Sequence, residues 1–449
     1  MALNQSNKEK KPLKMSLTGL EVELFLINNK GQIVNSADTL IKKIKKGSSA
    51  NIKKECSSNL IEIATLPNKT VPNTMIYLLD ELQILNGVAE KEGFMLLPLG
   101  TYPGSFIPSM REDKPYKIKE SIFGKNRFKI AGRCAGFHYH YTLPRGIFDD
   151  QFRVLKLMVR SKIKDSLVNS YNMMIAADPA LTTFMQSSPF YQGKYIGKDS
   201  RMIMYRGGKY LKSKDGLYAN LQEFGGLPPY RLTALDIMDI ITTRYELWKS
   251  YIKSLGLNIK VLSLYGSILD TTWNPIKINP NGTLEQRGMD MNHLVNIAGI
   301  SVALRFVLKK LQEEFYTVIP SEIGIKEPFR IEKDAIYIPP SFYVRRELQS
   351  KAAYEGLDSD LIYNYCKRFF NLAKSFIPKD RLMFLNPLQE MLKKRKTVSD
   401  DILDYAAKKG FKKSKEIPNR LSAEIALAHS ERLSREIHTI RKMIEKMPL

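Results

Sequence analysis

The stretch GLEVELFLIN, residues 19–28, places two glutamates two positions apart inside an apolar run. In a β-strand, residues i and i+2 point to the same face, so Glu21 and Glu23 lie side by side while the apolar residues between them face the other way. Two neighbouring carboxylates repel each other, and burying either one without a partner costs several kcal/mol. The rest of the sequence must therefore supply something that neutralises this pair.

Three further predicted strands carry polar residues where a core strand would be apolar. These residues are Glu62 in NLIEIAT (59–65), His138 and His140 in FHYHYTL (137–143), and Glu285 and Arg287 in GTLEQRGMD (282–290). Each feature alone is more often a solvated strand face, a core histidine or a surface ion pair. Together, the four glutamates and two histidines predict one polar face of an antiparallel sheet.

Such a face has the donor set that a hard divalent cation needs. Mg²⁺ takes oxygen ligands, mainly carboxylates, and tolerates an imidazole. Bound Mg²⁺ would neutralise Glu21 and Glu23, and it would also indicate a phosphate substrate, because Mg²⁺ commonly bridges carboxylates and nucleotide oxygens. Arg287, next to Glu285, would then be placed to stabilise a transferring phosphoryl group. The chain has neither a GxGxxG unit nor a GxxxxGK[ST] loop, so any ATP site would use a different phosphate cradle.

Composition limits the class of protein. The chain has 449 residues, of which 43% are hydrophobic, and this is ample for a large core. Its three cysteines form no CxxC, which argues against a disulfide framework or a zinc knuckle and predicts a reducing cytoplasm. We expect Cys134, near the HYH strand, to be a buried thiol rather than a nucleophile. No apolar stretch reaches the roughly 18 residues that span a bilayer, so we expect no membrane partner.

The net charge of +24 raises the question of a nucleic-acid partner. The lysines are scattered, and this favours a lysine-rich composition or anionic substrates over nucleic acid. The basic cluster KKRK, residues 393–396, keeps that alternative open.

Periodicity gives a coarse outline of the chain. We predict helices over 37–46, 74–93, 149–174, 233–254 and 292–315, a short strand over 94–99, loops over 100–132 and 185–230, and mostly helix from 342 onward. Residues 1–15 are predicted to be a disordered basic tail. The final helix has an apolar stripe, so it packs either on the body or against a second copy, and a homo-oligomer stays open.

Six motifs occur in an order that resembles a known family. They are GLEVEL, NLIEIAT, GTYPGS, AGFHYHYTLP, SSPFYQGKYIGKDSR and GTLEQRGMD. Over 16–290, and more loosely to 375, the chain resembles the carboxylate–amine ligases related to glutamate–cysteine ligase. This resemblance implies an α+β, glutamine-synthetase-like fold, a curved antiparallel sheet with helices packed behind it. It also implies a catalytic domain over 16–375 followed by a helical basic extension over 376–449.

The resemblance also implies an activity and a set of roles. ATP would phosphorylate a glutamate-like carboxylate, and an amine would attack the acyl phosphate to give an amide. The resemblance implies two or three Mg²⁺ ions, held by Glu21, Glu23, Glu62, His138 and Glu285. It implies catalysis by Glu285 and Arg287, and substrate binding by Arg201 and His140.

Two departures from the family pattern bear on these expectations. Tyr102 stands in the GTYPGS loop where many members have histidine, so a proton-transfer role for that loop is in doubt. Gln286 and Gly288 occupy positions that are more apolar in family members. Two alternatives therefore accompany the ligase hypothesis. One is a phosphotransferase of the same superfamily, and the other is a catalytically degraded basic binding or regulatory protein on the same scaffold.

Overall fold

The computed structural model describes residues 16–45, 51–156 and 161–447, so the predicted tail over 1–15 lies outside the described residues. In chain order, the strands are β1 (Thr18–Asn28), β2 (Ile52–Lys54), β3 (Leu60–Ala64), β4 (Phe94–Leu97), β5 (Gly136–Thr142), β6 (Phe148–Asp149), β7 (Val154–Leu155), β8 (Phe190–Tyr191), β9 (Lys194–Tyr195), β10 (Ile276–Asn279), β11 (Thr283–Asp290), β12 (Thr317–Pro320), β13 (Ile331–Glu332) and β14 (Ala335–Ile338).

Helices occupy most of the remaining described chain. They are α1 (Ala37–Lys45), α2 (Val71–Lys91), α3 (Lys114–Phe123), α4 (Lys125–Phe128), α5 (Lys162–Phe184), α6 (Ser200–Arg206), α7 (Gln222–Gly225), α8 (Ala234–Ser254), α9 (Leu294–Glu313), α10 (Ser341–Tyr343), α11 (Gln349–Tyr354), α12 (Asp360–Phe376), α13 (Asn386–Lys394), α14 (Val398–Lys408) and α15 (Asn419–Glu445). A π-helical segment, Val344–Leu348, joins α10 to α11.

The central layer is a seven-stranded sheet in the order β10-β11-β5-β1-β3-β2, with β4 also paired to β1. Every pairing in it is antiparallel. Leu20, Val22 and Leu24 of β1 are fully buried and belong to the main hydrophobic core. The helices α2, α5 and α9 pack against this sheet. The period-2 pattern of β1 therefore leaves its glutamates on the opposite face.

The predicted helix over 149–174 is wrong in its first part. Residues 148–155 form the β6–β7 hairpin, and the Asp149 carboxylate accepts hydrogen bonds from the backbone N–H groups of Gln151 and Phe152. Phe152, which lies inside the predicted helix, is 71% exposed. The helix instead begins after Ser161, whose hydroxyl accepts a hydrogen bond from the backbone of Lys164. This turn and cap chemistry outweighed the helical spacing of the apolar residues.

The two long predicted loops contain more structure than expected. The segment 100–132 holds α3 and α4, and 185–230 holds β8, β9, α6 and α7. The strands β2 and β10 were also not predicted, because three- and four-residue strands give little periodic signal. The other predicted strands and long helices are confirmed to within a few residues of their bounds.

The last helix packs on the body of the same chain. In α15, the stripe Leu421, Ile425, Leu433, Ile437 and Ile440 is buried in the core that also contains the sheet. The helix contacts α2, β4 and α9, and the Ser430 hydroxyl donates to the Leu96 carbonyl at 2.8 Å. This contact accounts for the predicted apolar stripe. The boundary drawn at 376 stays a prediction, although residues on both sides of it share one core.

Cys56, Cys134 and Cys366 are free and buried, as predicted for Cys134. Burial raises the pKa of Cys134 to about 12, so its thiol stays protonated near neutral pH. Within the described ranges, no helix combines the length and apolar character needed to cross a membrane.

We expect α15 to contribute directly to stability. Leu433→Ala removes a fully buried side chain of α15, whereas Leu235→Ala trims a side chain of α8 that is 55% exposed. Buried Leu→Ala changes cost about 2–5 kcal/mol, so the first variant should unfold at a clearly lower urea concentration and the second near wild type. Equal midpoints in chemical denaturation would show that α15 does not belong to the cooperative core.

A histidine pair fastens α15 to the start of α9. The rings of His293 and His429 are stacked with centroids 5.0 Å apart, and His293 Nε2 lies 2.8 Å from His429 Nδ1. Burial and the charge of Arg432 lower the pKa of His429 to about 4, and burial together with His429 holds the pKa of His293 well below its usual range. Both rings are therefore neutral in the folded protein near neutral pH.

This pair predicts a loss of stability in acid. The unfolded chain protonates both rings below their ordinary pKa of 6.5, whereas the folded chain does not. As the pH falls from 6.5 towards 4, each ring should therefore remove up to about 1.4 kcal/mol of unfolding free energy per pH unit. Urea denaturation at several pH values should show this slope about halved in His429→Gln. It should stay unchanged in His438→Gln, which alters an exposed ring on the same helix.

Candidate active site

The predicted polar side chains meet on one face of the central sheet, because neighbouring strands place them in register. The facing pairs are Glu285 with His140, Glu21 with His138, and Glu23 with Glu62. The face therefore runs from β11 through β5 and β1 to β3. The β-strand alternation alone brings all six side chains together.

His138 is at the centre of this face. Its Nδ1 lies 3.0 Å from Glu21 Oε2 and 3.8 Å from Glu285 Oε1, and its Nε2 lies 3.4 Å from Glu23 Oε1. Glu21, His138 and Glu285 each offer one ligand atom, and these atoms all lie within 4.8 Å of one another. Three donors at this spacing can share one small cation. We refer to them as the inner group.

Three carboxylates form a second group beside the first. Glu23, Glu55 and Glu62 each offer an oxygen, again within 4.8 Å of one another. Apart from His138 beside Glu23, the positively charged partner of this group is Lys53, whose Nζ lies 3.6 Å from Glu62 Oε1 and whose side chain is 52% exposed. We refer to this cluster as the outer group. Its three carboxylates share little compensating charge.

The two groups differ in their electrostatic balance. Burial opposes ionisation of Glu285, but Arg287, His140 and Lys277 outweigh it and bring the pKa of Glu285 to about 2. In the outer group the carboxylates repel one another. Burial raises the pKa of Glu62 well above its ordinary value, and the charges of Glu21 and Glu55 raise it further.

Glu21 and Glu23 differ in the same way. Burial raises the pKa of Glu21, yet His140 and His138 hold it well below its usual range. Burial and the charge of Glu55 raise the pKa of Glu23, despite the nearby His138 and Arg201. Thus the two histidines compensate the negative charge of Glu21, whereas the charge of Glu23 remains poorly compensated.

The residues present fit a divalent cation. His138 Nε2 and His140 Nε2 are buried and make no hydrogen bond among the described residues, although Glu23 Oε1 and Glu21 Oε1 respectively lie 3.4 Å from them. His140 Nδ1 lies 2.9 Å from the Thr283 hydroxyl, which fixes the orientation of its ring. Buried nitrogens and mutually repelling carboxylates are costly unless a cation or a ligand satisfies them.

Arg287 is held beside Glu285 by a bulge in β11. The pairing of β11 with β5 shifts between Gln286 and Met289, and Arg287 Nη1 donates to Glu285 Oε1 at 3.0 Å. The backbone N–H of Arg287 donates to the Pro275 carbonyl, outside the pairing with β5. A bulge of this kind re-aims a side chain, and here it keeps the guanidinium on the acidic face.

Residues behind the bulge explain the departures at Gln286 and Gly288. Asp178 of α5 and Arg206 of α6 form a fully buried bidentate ion pair. The Gln286 amide donates to Asp178 at 2.9 Å, and Arg206 donates to the Gly288 carbonyl at 3.4 Å. A Cβ at Gly288 would lie 2.2 Å from the guanidinium of Arg206. Glutamine and glycine therefore fit these positions, where an apolar side chain would clash or leave Asp178 with fewer partners.

Arg201 lies at the start of α6 and is only 5% exposed. Its Nη2 donates weakly to the Arg287 carbonyl at 3.4 Å, and its Nε has no hydrogen-bond partner among the described residues. A Cβ at Gly136 would lie 2.2 Å from this Nη2, so glycine leaves room for the guanidinium against β5. The structure brings Arg201 to the acidic face with N–H groups of its guanidinium available for a ligand.

The sequence prediction missed three charged residues at this face. Glu55 follows the short strand β2 and belongs to the outer group. Lys277 faces Glu285 from β10 and is 5% exposed, and Lys119 of α3 places its Nζ 4.4 Å from the Trp273 ring centroid. Lys277 is a charged residue within an apolar strand sequence, IKIN, and the same pattern identified the glutamates. Glu55 and Lys119 do not lie in such a pattern.

Tyr102, the residue that departs from the family pattern, is buried away from this chemistry. Its hydroxyl donates to the Gly31 carbonyl at 3.0 Å, and its ring packs edge-on against Phe106. Burial raises the pKa of Tyr102, so the hydroxyl stays protonated. These contacts give Tyr102 a packing role.

Comparison with known proteins supports the fold and the resemblance. Residues 17–214 match glutamate-cysteine ligase family 2, which confirms the predicted resemblance over that part of the chain. No curated protein matches the sequence. In structure, the chain is similar to a glutamate–cysteine ligase of Francisella tularensis in complex with AMP, with a TM-score of 0.53, 13% identity, and coverage of 98% of this chain and 96% of that one.

A bifunctional glutathione synthetase from Pasteurella multocida is also similar, with a TM-score of 0.52 and 13% identity. That match covers 94% of this chain but only 52% of the synthetase, so the chain spans about half of its length. These likenesses confirm the predicted α+β, glutamine-synthetase-like architecture, an antiparallel sheet with helices packed behind it.

We expect Mg²⁺ to stabilise the protein through the outer group. A ligand that binds only the folded state adds about 2.7 kcal/mol at 100 times its dissociation constant. Glu62→Gln removes one of the repelling carboxylates, so in EDTA the variant should melt above wild type, and adding Mg²⁺ should raise its Tm less. Thermal denaturation with and without Mg²⁺ measures both effects. Glu246→Gln, which changes an exposed carboxylate on α8, should behave like wild type. A full Mg²⁺ shift in Glu62→Gln would contradict the assignment.

Proposed function

We propose that the protein is an ATP- and Mg²⁺-dependent carboxylate–amine ligase, acting on a glutamate-like acid and an amine. One observation carries this proposal, namely two adjacent acidic groups on a buried sheet face with a guanidinium held at their edge. Two clusters of carboxylates can neutralise a polyphosphate through Mg²⁺. The match to glutamate-cysteine ligase family 2 supports the same class of reaction.

The two acidic groups would hold the cations. The inner group consists of Glu21, His138 and Glu285, and the outer group of Glu23, Glu55 and Glu62. One ion in each group would give two of the two or three ions that the resemblance implies. When bound, Mg²⁺ supplies charge neutralisation of the phosphate oxygens and a template that orients them.

The positively charged residues complete the site. Arg287 would donate to the transferring phosphoryl group, because its ion pair with Glu285 at 3.0 Å fixes the guanidinium at the edge of the inner group. Arg201 would bind the substrate carboxylate with its spare donors. His140, oriented by Thr283, would contact the substrate from the floor of the site.

The proposed reaction has two steps. The substrate carboxylate attacks the γ-phosphorus, a P–O bond to this carboxylate forms, and the P–O bond to ADP breaks. The amine nitrogen then attacks the carbonyl carbon, phosphate leaves, and the nitrogen loses a proton to give an amide. The residues of the floor are buried, with Glu285 at 0% and His138 at 2% exposure, and this exclusion of water would protect the acyl phosphate from hydrolysis.

The two alternatives make different predictions about the same site. A phosphotransferase would yield a phosphorylated acceptor rather than an amide. A degraded binding protein would be expected to have lost metal ligands, yet the carboxylates converge on one face and a further one, Glu55, joins them. The basic cluster also has internal partners, because Arg395 pairs with Asp360 at 2.7 Å. The free buried thiols fit our proposed location in a reducing cytoplasm.

Turnover assays test the ligase directly. With ATP, Mg²⁺, glutamate and cysteine, and then with panels of other acids and amines, we expect ADP release only when both substrates are present. Mass spectrometry should find a product equal to acid plus amine minus water. Glu285→Gln should lower kcat by about 10²–10³, the range seen when one group that stabilises transition-state charge is removed.

A matched control separates catalysis from charge. Glu431→Gln removes an exposed carboxylate on α15 and should keep full activity. A phosphorylated acid that accumulates whatever amine is present would favour the phosphotransferase. Absence of turnover across both panels, or full activity in Glu285→Gln, would overturn the proposal.

A further inference from the structure

A cavity of about 730 Å³ lies on the side of the sheet away from the acidic face. It opens between the loop that follows β5 and the last turns of α9. Its volume falls within the range of small-molecule pockets, roughly 300–1,000 Å³. None of the residues assigned to the proposed ligase lines it.

A buried guanidinium lines this cavity without a counter-charge. Arg305 is 8% exposed, its Cζ lies 5.1 Å from the Tyr141 ring centroid, and its Nη1 donates to the Thr18 hydroxyl at a long 3.4 Å. Among the described residues, Arg305 forms no ion pair. A largely buried arginine normally has a carboxylate or phosphate partner. The geometry therefore calls for an anion that the described part of the chain does not provide.

A second donor has no partner. Gln312, about two turns after Arg305 on α9, is 8% exposed, and its Nε2 has no hydrogen-bond partner within the described ranges. An unsatisfied buried amide costs free energy, and an acceptor atom in the cavity would recover it. Arg305 and Gln312 together offer the donors that a carboxylate accepts.

The charges at the rim also favour an anion. Arg145 and Lys309 line the cavity, and among the described residues its one acidic lining residue is the exposed Glu313. Glu313 is already engaged, because it accepts from the Ser16 hydroxyl at 3.0 Å and lies 3.8 Å from Lys309 Nζ. The lining therefore carries a net positive charge.

Apolar side chains form much of the remaining wall of the cavity. They are Leu143, Pro144, Ile163 and Phe315, and the rest of the lining is Ser16, Thr142 and Gly146. A bare inorganic anion would leave these surfaces in contact with water, whereas a ligand with a hydrocarbon portion would cover them. The lining thus combines a cationic end with an apolar body.

We propose that this cavity binds a small organic carboxylate with an apolar chain, with its carboxylate on Arg305 and Gln312. The site is separate from the acidic face, because Tyr141, which stacks on Arg305, points to the opposite side of β5 from its neighbour His140. The proposal follows from the cavity alone and does not depend on the ligase reaction.

Calorimetric titration of the full chain in EDTA tests the proposal. Hexanoate should bind. Hexanol has the same length but no charge, and inorganic phosphate has charge but no hydrocarbon chain, so each should bind at least tenfold more weakly. Arg305→Met keeps most of the side-chain volume and should weaken hexanoate about tenfold, the effect of losing a charge-assisted hydrogen bond. Arg305→Lys should recover part of the affinity.

A second variant avoids the risk that a core substitution unfolds the chain. Glu313→Gln changes an exposed side chain and should tighten hexanoate binding, because it removes the negative charge at the rim. Glu332→Gln, a remote acidic residue, should leave the affinity unchanged. A crystal soaked with 6-bromohexanoate should show the bromine in this cavity.

Three results would overturn the proposal. Hexanol could bind as tightly as hexanoate, Glu313→Gln could leave the affinity unaltered, or bromine could be found beside Arg201 and Arg287. The last result would place the anion in the proposed active site instead.

Discussion

The mutual repulsion of Glu23, Glu55 and Glu62 is the constraint on which the rest of the site depends. Three carboxylates whose oxygens lie within 4.8 Å of one another can stay close only if some are protonated or a cation joins them. Burial and this repulsion raise the pKa of Glu62 well above its ordinary value, so the protein holds the cluster in an unfavourable state. A fold that maintains such a cluster stores free energy that cation binding can release.

In the inner group, by contrast, neighbouring positive charges compensate the carboxylates, so the two groups differ in their electrostatic balance. Arg287, His140 and Lys277 surround Glu285 with positive charge and bring its pKa to about 2. A cation there competes with these fixed charges, whereas the lysine paired with the outer group, Lys53, is half exposed. We therefore expect a divalent cation to bind more tightly to the outer group than to the inner group. The buried Asp178–Arg206 pair holds the bulge that makes this arrangement possible.

The sequence predicted the acidic face because a β-strand has a period of two residues. Once Glu21 and Glu23 are placed on one face, the same period puts His138 with His140, and Glu285 with Arg287, on a common face of their own strands. The register that sets His138 opposite Glu21 and Glu62 opposite Glu23 comes from the structure. Glu55 could not be found in this way, since it lies outside any strand and reaches the site only through the turn between β2 and β3. The misplaced start of α5 has a similar origin, because the cap at Ser161 and the turn at Asp149 depend on local hydrogen bonds that periodicity does not report.

Strand β5 links the two sites that the structure suggests. Its side chains alternate, so His138 and His140 face the acidic groups, while Tyr141 on the opposite side packs against Arg305, which lines the cavity. A carboxylate bound to Arg305 that displaced the Tyr141 ring would act on the same strand backbone that positions both imidazoles. Any coupling between the two sites must be reciprocal, because linkage acts on binding free energies in both directions. Mg²⁺ on the acidic face and a carboxylate in the cavity would then each change the affinity of the other by the same factor.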